Sequence, residues 1–465
     1  MISGHRGRRA ALSLLTLVLA VLIVRLGAFV VDFGRRSLRM DFAAFHTAGR
    51  AEGAGLSPYL NHVERDPPIW DGIDTYRHSR FLYPPPVAHA FRPLGALHYH
   101  QAKHAWMLLC LGALGGALWI AAREAGLRSS AAWLGLGILA AAYYPLLALL
   151  ERGQADSLTL LLVLGAMAWV SAGPRRALAA GALLAGAVWL KLHCVFLVPL
   201  LLLERRWRTL GGFAGAAAAL VAASLVVDGP ERMREYVRHD LPRIARYGER
   251  GTSEMRLPRA ILQPITESLA SGRTTVDGRA YDVETLSFVL NASLVRTPLG
   301  RSTWSALRAL GLPVAPAHIS LVFFSIACLL VLALLLVLRR HGRSRARERS
   351  RLVDWQIALV LVLLCAPATW AMGTVWLLPA GAIVLGELGR RSSAAHGIWT
   401  VVVASGLLVA CVPYGIGRAL VPARVLDAQY IVAELLCLAG LLGLRARNGD
   451  APAMTADSSM LTARS

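Results

Sequence analysis

No two cysteines of this chain are spaced as a pair. Cys110, Cys194, Cys328, Cys365, Cys411 and Cys437 stand singly in or beside apolar runs, which argues against a disulfide framework or a thiolate metal site and leaves them as small hydrophobes. Acidic residues are scarce, 28 against 49 lysines and arginines, giving a formal charge of +21. In a soluble chain that excess points to nucleic acid. Here the arginines gather at the ends of apolar runs, where they orient helices in a bilayer, so nucleic acid is discounted as a partner. No internal repeat is visible. The N-terminal "HRGRRAALSLLTLVLAVLIVRLGAFVV" has the basic start and apolar stretch of an export signal but no clean small-x-small cleavage site. It reads as an uncleaved first membrane helix.

What the chain has in quantity is apolar length. Its 465 residues are 56% hydrophobic with a mean hydropathy of +0.52, more than a soluble core can hide. A helix needs about 20 mainly apolar residues to cross the hydrocarbon. Spans are predicted near 10–31, 101–122, 131–150, 154–172, 209–227, 313–338, 353–370, 373–389, 397–413 and 426–444. The fold class is therefore an all-α polytopic membrane protein. Short basic connections belong in the cytoplasm: "RRHGRSRARERSR" at 339–351, "HRGRR" at the N-terminus, "GPRR" at 173–176, "ERRWR" at 204–208 and "GRR" at 389–391.

The stretch 177–203, "ALAAGALLAGAVWLKLHCVFLVPLLLL", is long for one crossing and short for two. A single crossing would put "ERRWR" outside and, by parity, the seven arginines of 339–351 as well. Two short half-helices keep every basic loop inside and bring Lys191 and His193 toward the outer face. The expected layout has about 12 crossings with both termini inside. It is one membrane domain, 1–445, with outer loops at 32–100 and 228–312, a basic cytoplasmic loop at 339–352 and a disordered tail at 446–465.

Parity then collects the conspicuous polar groups on one face: Asp41 with His46, Tyr83 in "YPPP", Arg152, Gln154 and Asp156 in "ERGQADS", Lys191 with His193, and Asn291 and Arg296 in "NASLVRT". Polar groups between helices are costly unless they face a cavity. Each has a plainer reading. Asp41, at the head of a short helix expected to lie on the membrane surface, is by position alone a helix cap. Gln154 and Asp156 cap the next span equally simply. His46 suits an interface, Arg152 and Arg296 suit lipid headgroups, and Lys191 is evenly divided between snorkelling and function. The three prolines after Tyr83 predict an extended segment.

Taken in order, these motifs resemble a known family. "DFAAFHTAGRAEGAGLSPY" looks like the Asp-Phe-x-x-aromatic...Ala...Gly-x-x-Pro-Tyr signature of glycosyltransferase family 87, polyprenyl-phosphate-sugar-dependent transferases of the GT-C fold. "FLYPPPVAHAFRPLGAL" is similar to its Tyr-x-Pro-Pro...Pro-Leu segment. "GQADSLTLLLVLGAMAW" with "AGALLAGAVWLKLHCVFLVPLLLLERRWR" resembles its Gly-Gln-x-(Asn/Asp) helix, lysine and closing Arg-Arg-Trp, and "NASLVRT" its Asn-x-Ser-Leu element. Where the family usually shows Ser-Pro-x-x-Trp with a polar residue close behind, this chain has "APATWAMGTVWLLP", with Ala366 for the serine and Met372 near the polar position.

The resemblance implies transfer of a mannose-like or arabinose-like sugar from a polyprenyl phosphate to a lipid-linked or cell-envelope glycan acceptor, at the outer face of the inner membrane. Asp41 is then the catalytic base. His46, Tyr83, Arg152, Gln154, Asp156, Lys191, His193, Asn291, Arg296 and Trp370 are the substrate-binding candidates. No metal and no cofactor are expected, because a lysine and arginines can neutralise a single phosphate. A lipid-saccharide transporter or flippase, which would show repeated halves with paired breaks, remains open. So does a non-catalytic member of the same fold.

Overall fold

In the computed structural model the described residues are 2–35, 41–59, 81–241, 273–276, 279–282, 351–365, 371–390, 394–412 and 429–450. Asn291, Arg296 and Trp370 lie outside them. The order begins α1 (Ile2–Arg35), α2 (Asp41–Gly53), α3 (Pro85–Ala90), α4 (Arg92–Gly95), α5 (Tyr99–Ala125), α6 (Ser130–Ala142), α7 (Tyr144–Arg152), α8 (Asp156–Trp169) and α9 (Pro174–Leu190). It continues through a 3-10 segment (Leu192–Leu197), α10 (Val198–Leu203), α11 (Trp207–Val227) and α12 (Gly229–Glu235). After a two-stranded hairpin come α13 (Arg351–Cys365), a second 3-10 segment (Ala371–Leu377), α14 (Leu378–Leu388), α15 (Ala394–Cys411) and α16 (Gln429–Asp450).

Among the described residues the hairpin is the exception to an all-α fold. β1 (Arg273–Val276) runs antiparallel to β2 (Arg279–Asp282), with Thr274 opposite Tyr281. The sequence between them is Asp-Gly, the dipeptide that tight hairpins favour.

Three described helices, within 7–35, 99–125 and 207–227, are each long and apolar enough to cross a membrane. The span expected at 131–150 is instead two helices, α6 and α7, bent by 53°. Pro145 has no N–H to give and its ring crowds the carbonyl four residues back, so the helix stops at Ala142 and restarts.

Glycines decide how α9 and α11 meet. A Cβ on Gly181 would run into the backbone of Thr209 and Phe213, and one on Gly212 into that of Leu178. The two helices end on one side of the bundle, α9 at Lys191 beside Asp156 and α11 at Asp228 beside His89 of α3, so they run in the same direction. The chain must therefore turn back between them. It does so at Lys191, whose extended backbone (φ −146°, ψ 99°) ends α9, and it returns through the 3-10 segment and α10. "GPRR" and "ERRWR" thus stand at one end of the bundle, with Lys191 toward the other.

Helix α5, about 40 Å long at 1.5 Å per residue, measures the distance between the two ends. At its C-terminus Glu124 pairs with Arg351 at 2.6 Å and the Ala125 carbonyl accepts from Arg390 at 2.7 Å. Arg445 meets Asp354, at the start of α13, at 2.6 Å. These basic ends share one side of the bundle. At the N-terminus of α5, Tyr99 packs on Phe42 and the Trp106 indole donates to the Gly153 carbonyl at 2.8 Å. That opposite side holds the polar groups described next. The core between them is aliphatic and aromatic, centred on α13 and α14, where Trp355, Ile357, Leu359, Leu378 and Ala380 are buried.

Candidate functional site

Asp41 is the first residue of α2, where a carboxylate is favoured by the helix dipole. The expected surface helix is in fact enclosed on every side: Asp41 through Gly49, then Ala51 and Glu52, are buried. The correction has a cause in the sequence. Ala, Gly and Phe fall on every side of the helix rather than in one stripe, with Asp41, His46, Thr47 and Glu52 enclosed among them, so neighbouring segments can pack on all its faces. Gly49 and Gly95 let α2 cross the α3–α4 turn at backbone contact, and Phe45 stacks on Phe91 with ring centroids 4.4 Å apart. The Tyr83–Pro84 step is extended as predicted, but the proline run also starts a helix. Pro84 (ψ 154°) precedes α3, because proline fits the first helical turn, whose amides have no partner to lose.

The Asp41 side chain points inward. Its Oδ2 lies 3.3 Å from Nη1 of Arg152, and the two side chains are 9% and 4% exposed. Arg152 ends α7, and Gly153 follows in the left-handed conformation (φ 71°). A Cβ at Gly153 would also collide with Phe42. Two constraints, dihedral and steric, therefore require glycine there. They set the α7–α8 junction directly against the start of α2.

Gln154 and Asp156, on the far side of that glycine, do not cap α8, whose N-cap is Ala155 without a side-chain bond. The Gln154 Oε1 accepts from the Tyr83 hydroxyl at 3.3 Å and from Lys191 Nζ at 3.4 Å. Lys191 Nζ also stands 3.2 Å from Asp156 Oδ2. That contact is ionic, since no aligned hydrogen bond reaches Oδ2. The second 3-10 segment closes this side: Trp376 donates to the Asp156 carbonyl at 3.0 Å, and its ring lies 5.3 Å from that of His193. Gln356 in turn donates to the Trp376 carbonyl at 2.7 Å, and Tyr143 donates to the Thr374 carbonyl at 3.0 Å.

Tyr83 sits between the two ion pairs. Burial raises its hydroxyl well above the ordinary phenol range, and the carboxylates of Asp156 and Asp41 push it further the same way. It is a neutral donor. His46 is placed differently. Its ring is fully buried, 5.4 Å from Tyr99, and its Nε2 bonds the Leu97 carbonyl at 3.0 Å while Nδ1 has no hydrogen-bond partner among the described residues. Burial lowers its pKa to about 4, with Arg50 and His98 adding to the fall against the Leu97 hydrogen bond. Its contacts are with the packing around α2 rather than with the Arg152–Lys191 group.

Some residues of interest escaped the sequence reading. Trp106 and Trp376 hold the junction's backbone carbonyls, though nothing in the sequence separates them from other core tryptophans. Glu52, His89, Asp228 and Arg232 form a second polar group at the other end of α2. There Arg232 Nη1 meets Glu52 Oε1 at 2.7 Å and His89 Nε2 meets Asp228 Oδ1 at 2.5 Å. Burial holds the Glu52 carboxyl above the usual range, although Arg232 and His89 draw it down. Glu52 and His89 lie inside motifs already singled out, and a charge amid small apolar residues was the available signal.

Residues 81–310 match the family model of glycosyltransferase family 87, nearly half of the chain. A comparison with curated proteins finds no match. The family read from the motifs is borne out over that stretch, and with it a membrane glycosyltransferase. The matched stretch contains Tyr83, Arg152, Gln154, Asp156, Lys191 and His193. Asp41 and His46 precede it and Trp370 follows it, so the place of Asp41 rests on its geometry against Arg152.

Proposed function

From that family 87 stretch and the two ion pairs at the helix breaks, we propose that the chain transfers a mannose-type or arabinofuranose-type sugar from a polyprenyl-phosphate donor. The acceptor is a lipid-linked or cell-envelope glycan at the outer face of the inner membrane. The supporting observation is the gathering of Asp41–Arg152 and Lys191–Asp156 around Tyr83 and Gln154. Two carboxylates here neutralise two cations. An arriving phosphate competes for the cations and leaves the carboxylates without partners.

In this reading Lys191 and Arg152 turn to the donor phosphate oxygens, and Tyr83 and Gln154 orient the sugar or phosphate by hydrogen bonds. Release of Arg152 frees the Asp41 carboxylate. The acceptor oxygen attacks the anomeric carbon opposite the phosphate, and the carbon–oxygen bond to phosphate breaks. The acceptor proton passes to Asp41, and polyprenyl phosphate leaves with the bonding electron pair, held by the two cations. Attack from the far side inverts the anomeric centre. The polyprenyl tail remains in lipid throughout, and the chemistry uses no metal.

The test is incubation of purified protein with radiolabelled polyprenyl-phosphate mannose or arabinofuranose and candidate acceptors, beside the Asp41→Asn variant. Product from the wild type alone supports the reading. One observation favours a transporter: the helical path breaks near Tyr143, at Lys191 and in the 3-10 segment Ala371–Leu377, rather than at a single place. Movement of lipid-linked saccharide across proteoliposomes without sugar transfer would select that alternative, and absence of both activities a non-catalytic role.

A further inference from the structure

Glu52 lies eleven residues along α2 from Asp41, about 16 Å at the helical rise, so it belongs to a separate site. Three elements meet there: the end of α2, helix α3 carrying His89, and the α11–α12 junction carrying Asp228 and Arg232. The side chains of Glu52 and Asp228 are 2% and 0% exposed, that of His89 22%.

Each carboxylate has one oxygen held by a neighbour and the other turned toward the imidazole, where Arg232 also approaches it. Arg232 Nη1 holds Glu52 Oε1 at 2.7 Å, and Ser224 Oγ donates to Asp228 Oδ2 at 2.8 Å. The remaining oxygens face His89 Nε2, Asp228 Oδ1 at 2.5 Å and Glu52 Oε2 at 3.5 Å. Arg232 Nη1 also reaches Glu52 Oε2 at 2.9 Å and Asp228 Oδ1 at 3.6 Å. The three donor atoms lie within 4.8 Å of one another. Tetrahedral ligands at 2.0–2.2 Å from an ion stand roughly 3.3–3.6 Å apart. The His89–Glu52 separation already matches that spacing, and His89 and Asp228 reach it by parting roughly 1 Å.

We propose that Glu52 Oε2, His89 Nε2 and Asp228 Oδ1 form a binding site for a divalent metal ion of the Zn²⁺ class, stapling the helix that carries Asp41 to α3 and α12. An imidazole with two carboxylates selects Zn²⁺ or Mn²⁺ over the all-oxygen cations. Arg232 and Ser224 act as the outer hydrogen bonds that orient metal-binding carboxylates. The partial exposure of His89 leaves the fourth position to water. Two carboxylates against one arginine leave one negative charge for the ion to offset.

The experiment uses full-length protein in detergent, stripped with EDTA, then given Zn²⁺, Mn²⁺ or Ca²⁺ alone. Metal retained through gel filtration is measured by plasma mass spectrometry, and thermal unfolding is followed in parallel. One equivalent of Zn²⁺ and a higher Tm with Zn²⁺ than with EDTA are expected. Both effects should be lost in His89→Gln, which keeps a hydrogen bond to Asp228 so that the variant folds, and in Asp228→Asn. They should persist in Glu231→Gln, whose side chain is exposed. No retained Zn²⁺, retention unchanged in His89→Gln, or a response to Ca²⁺ only would each overturn the site. A Tm that ignores metal would overturn it likewise.

Discussion

Lys191 Nζ lies 3.2 Å from Asp156 Oδ2 and 3.4 Å from Gln154 Oε1. The cation at the break in one membrane helix is thereby tied to the junction two residues beyond Arg152. A buried pair of this kind is costly to halve. Lys191→Met should destabilise the protein by about 3–5 kcal/mol, because Asp156 is left charged and enclosed. Lys191→Met with Asp156→Leu should recover much of that loss. Thermal unfolding in detergent measures both. If the double variant binds polyprenyl phosphate as tightly as the wild type, Lys191 does not hold the phosphate.

Asp41→Asn keeps an oxygen for Arg152 but cannot take a proton. The variant should still fold and insert, with a lower unfolding temperature because the buried Arg152 loses its counter-charge, while transfer falls ~10²- to 10⁴-fold, the usual worth of a general base. Turnover within a few-fold of wild type, in the purified radiolabel assay, would remove Asp41 from the chemistry.

At Gly153 any side chain meets both a left-handed backbone and the Phe42 Cβ. Gly153→Ala should cost about 1–2 kcal/mol for the dihedral and about 1–3 kcal/mol for the overlap. Adding Phe42→Gly, which removes the struck Cβ that alanine would keep, relieves only the second part, measured against Phe42→Gly alone. Comparing the two unfolding temperatures separates them.

His46, with its pKa lowered to about 4 by burial, stays neutral in the folded protein while its unfolded counterpart takes up a proton below about 6.5. The unfolded chain binds more protons in that window, so stability is full above about 6.5 and falls as the pH drops toward about 4. Between pH 7 and 5 this one group should cost on the order of 2 kcal/mol. His46→Gln should flatten that part of the stability curve, read as the difference between the two proteins across pH.

The sequence disclosed some of this arrangement and hid the rest for physical reasons. Lys191 was found because charge parity over distant loops left no single crossing through 177–203, and the helix does break at that residue. Pro145 carried the signal for the bend after Ala142, but hydropathy alone ran the two helices together. The partner of Asp41 was hidden: Arg152 is far away in sequence, and a pairing of that kind depends on how Gly153 lets two helices approach. The enclosure of α2 was hidden for a similar reason. A short helix of alanine, glycine and phenylalanine has the same composition whether membrane or protein covers it. The Glu52–His89–Asp228 group needed three segments folded together before its donors could be seen to converge.

Helix α1 turns Leu14, Leu17, Val21, Ile23 and Val24 away from the rest of the protein, whereas α13 buries nearly every side chain it has. The two helices therefore differ in how much their residue order matters. In α1 only the total oiliness is specified, so shuffling leucine, valine and isoleucine among those outward positions should leave insertion and unfolding temperature unchanged. The same shuffle within 357–363 would misfit neighbours on all sides. One helix is written as a quantity, the other as a spelling.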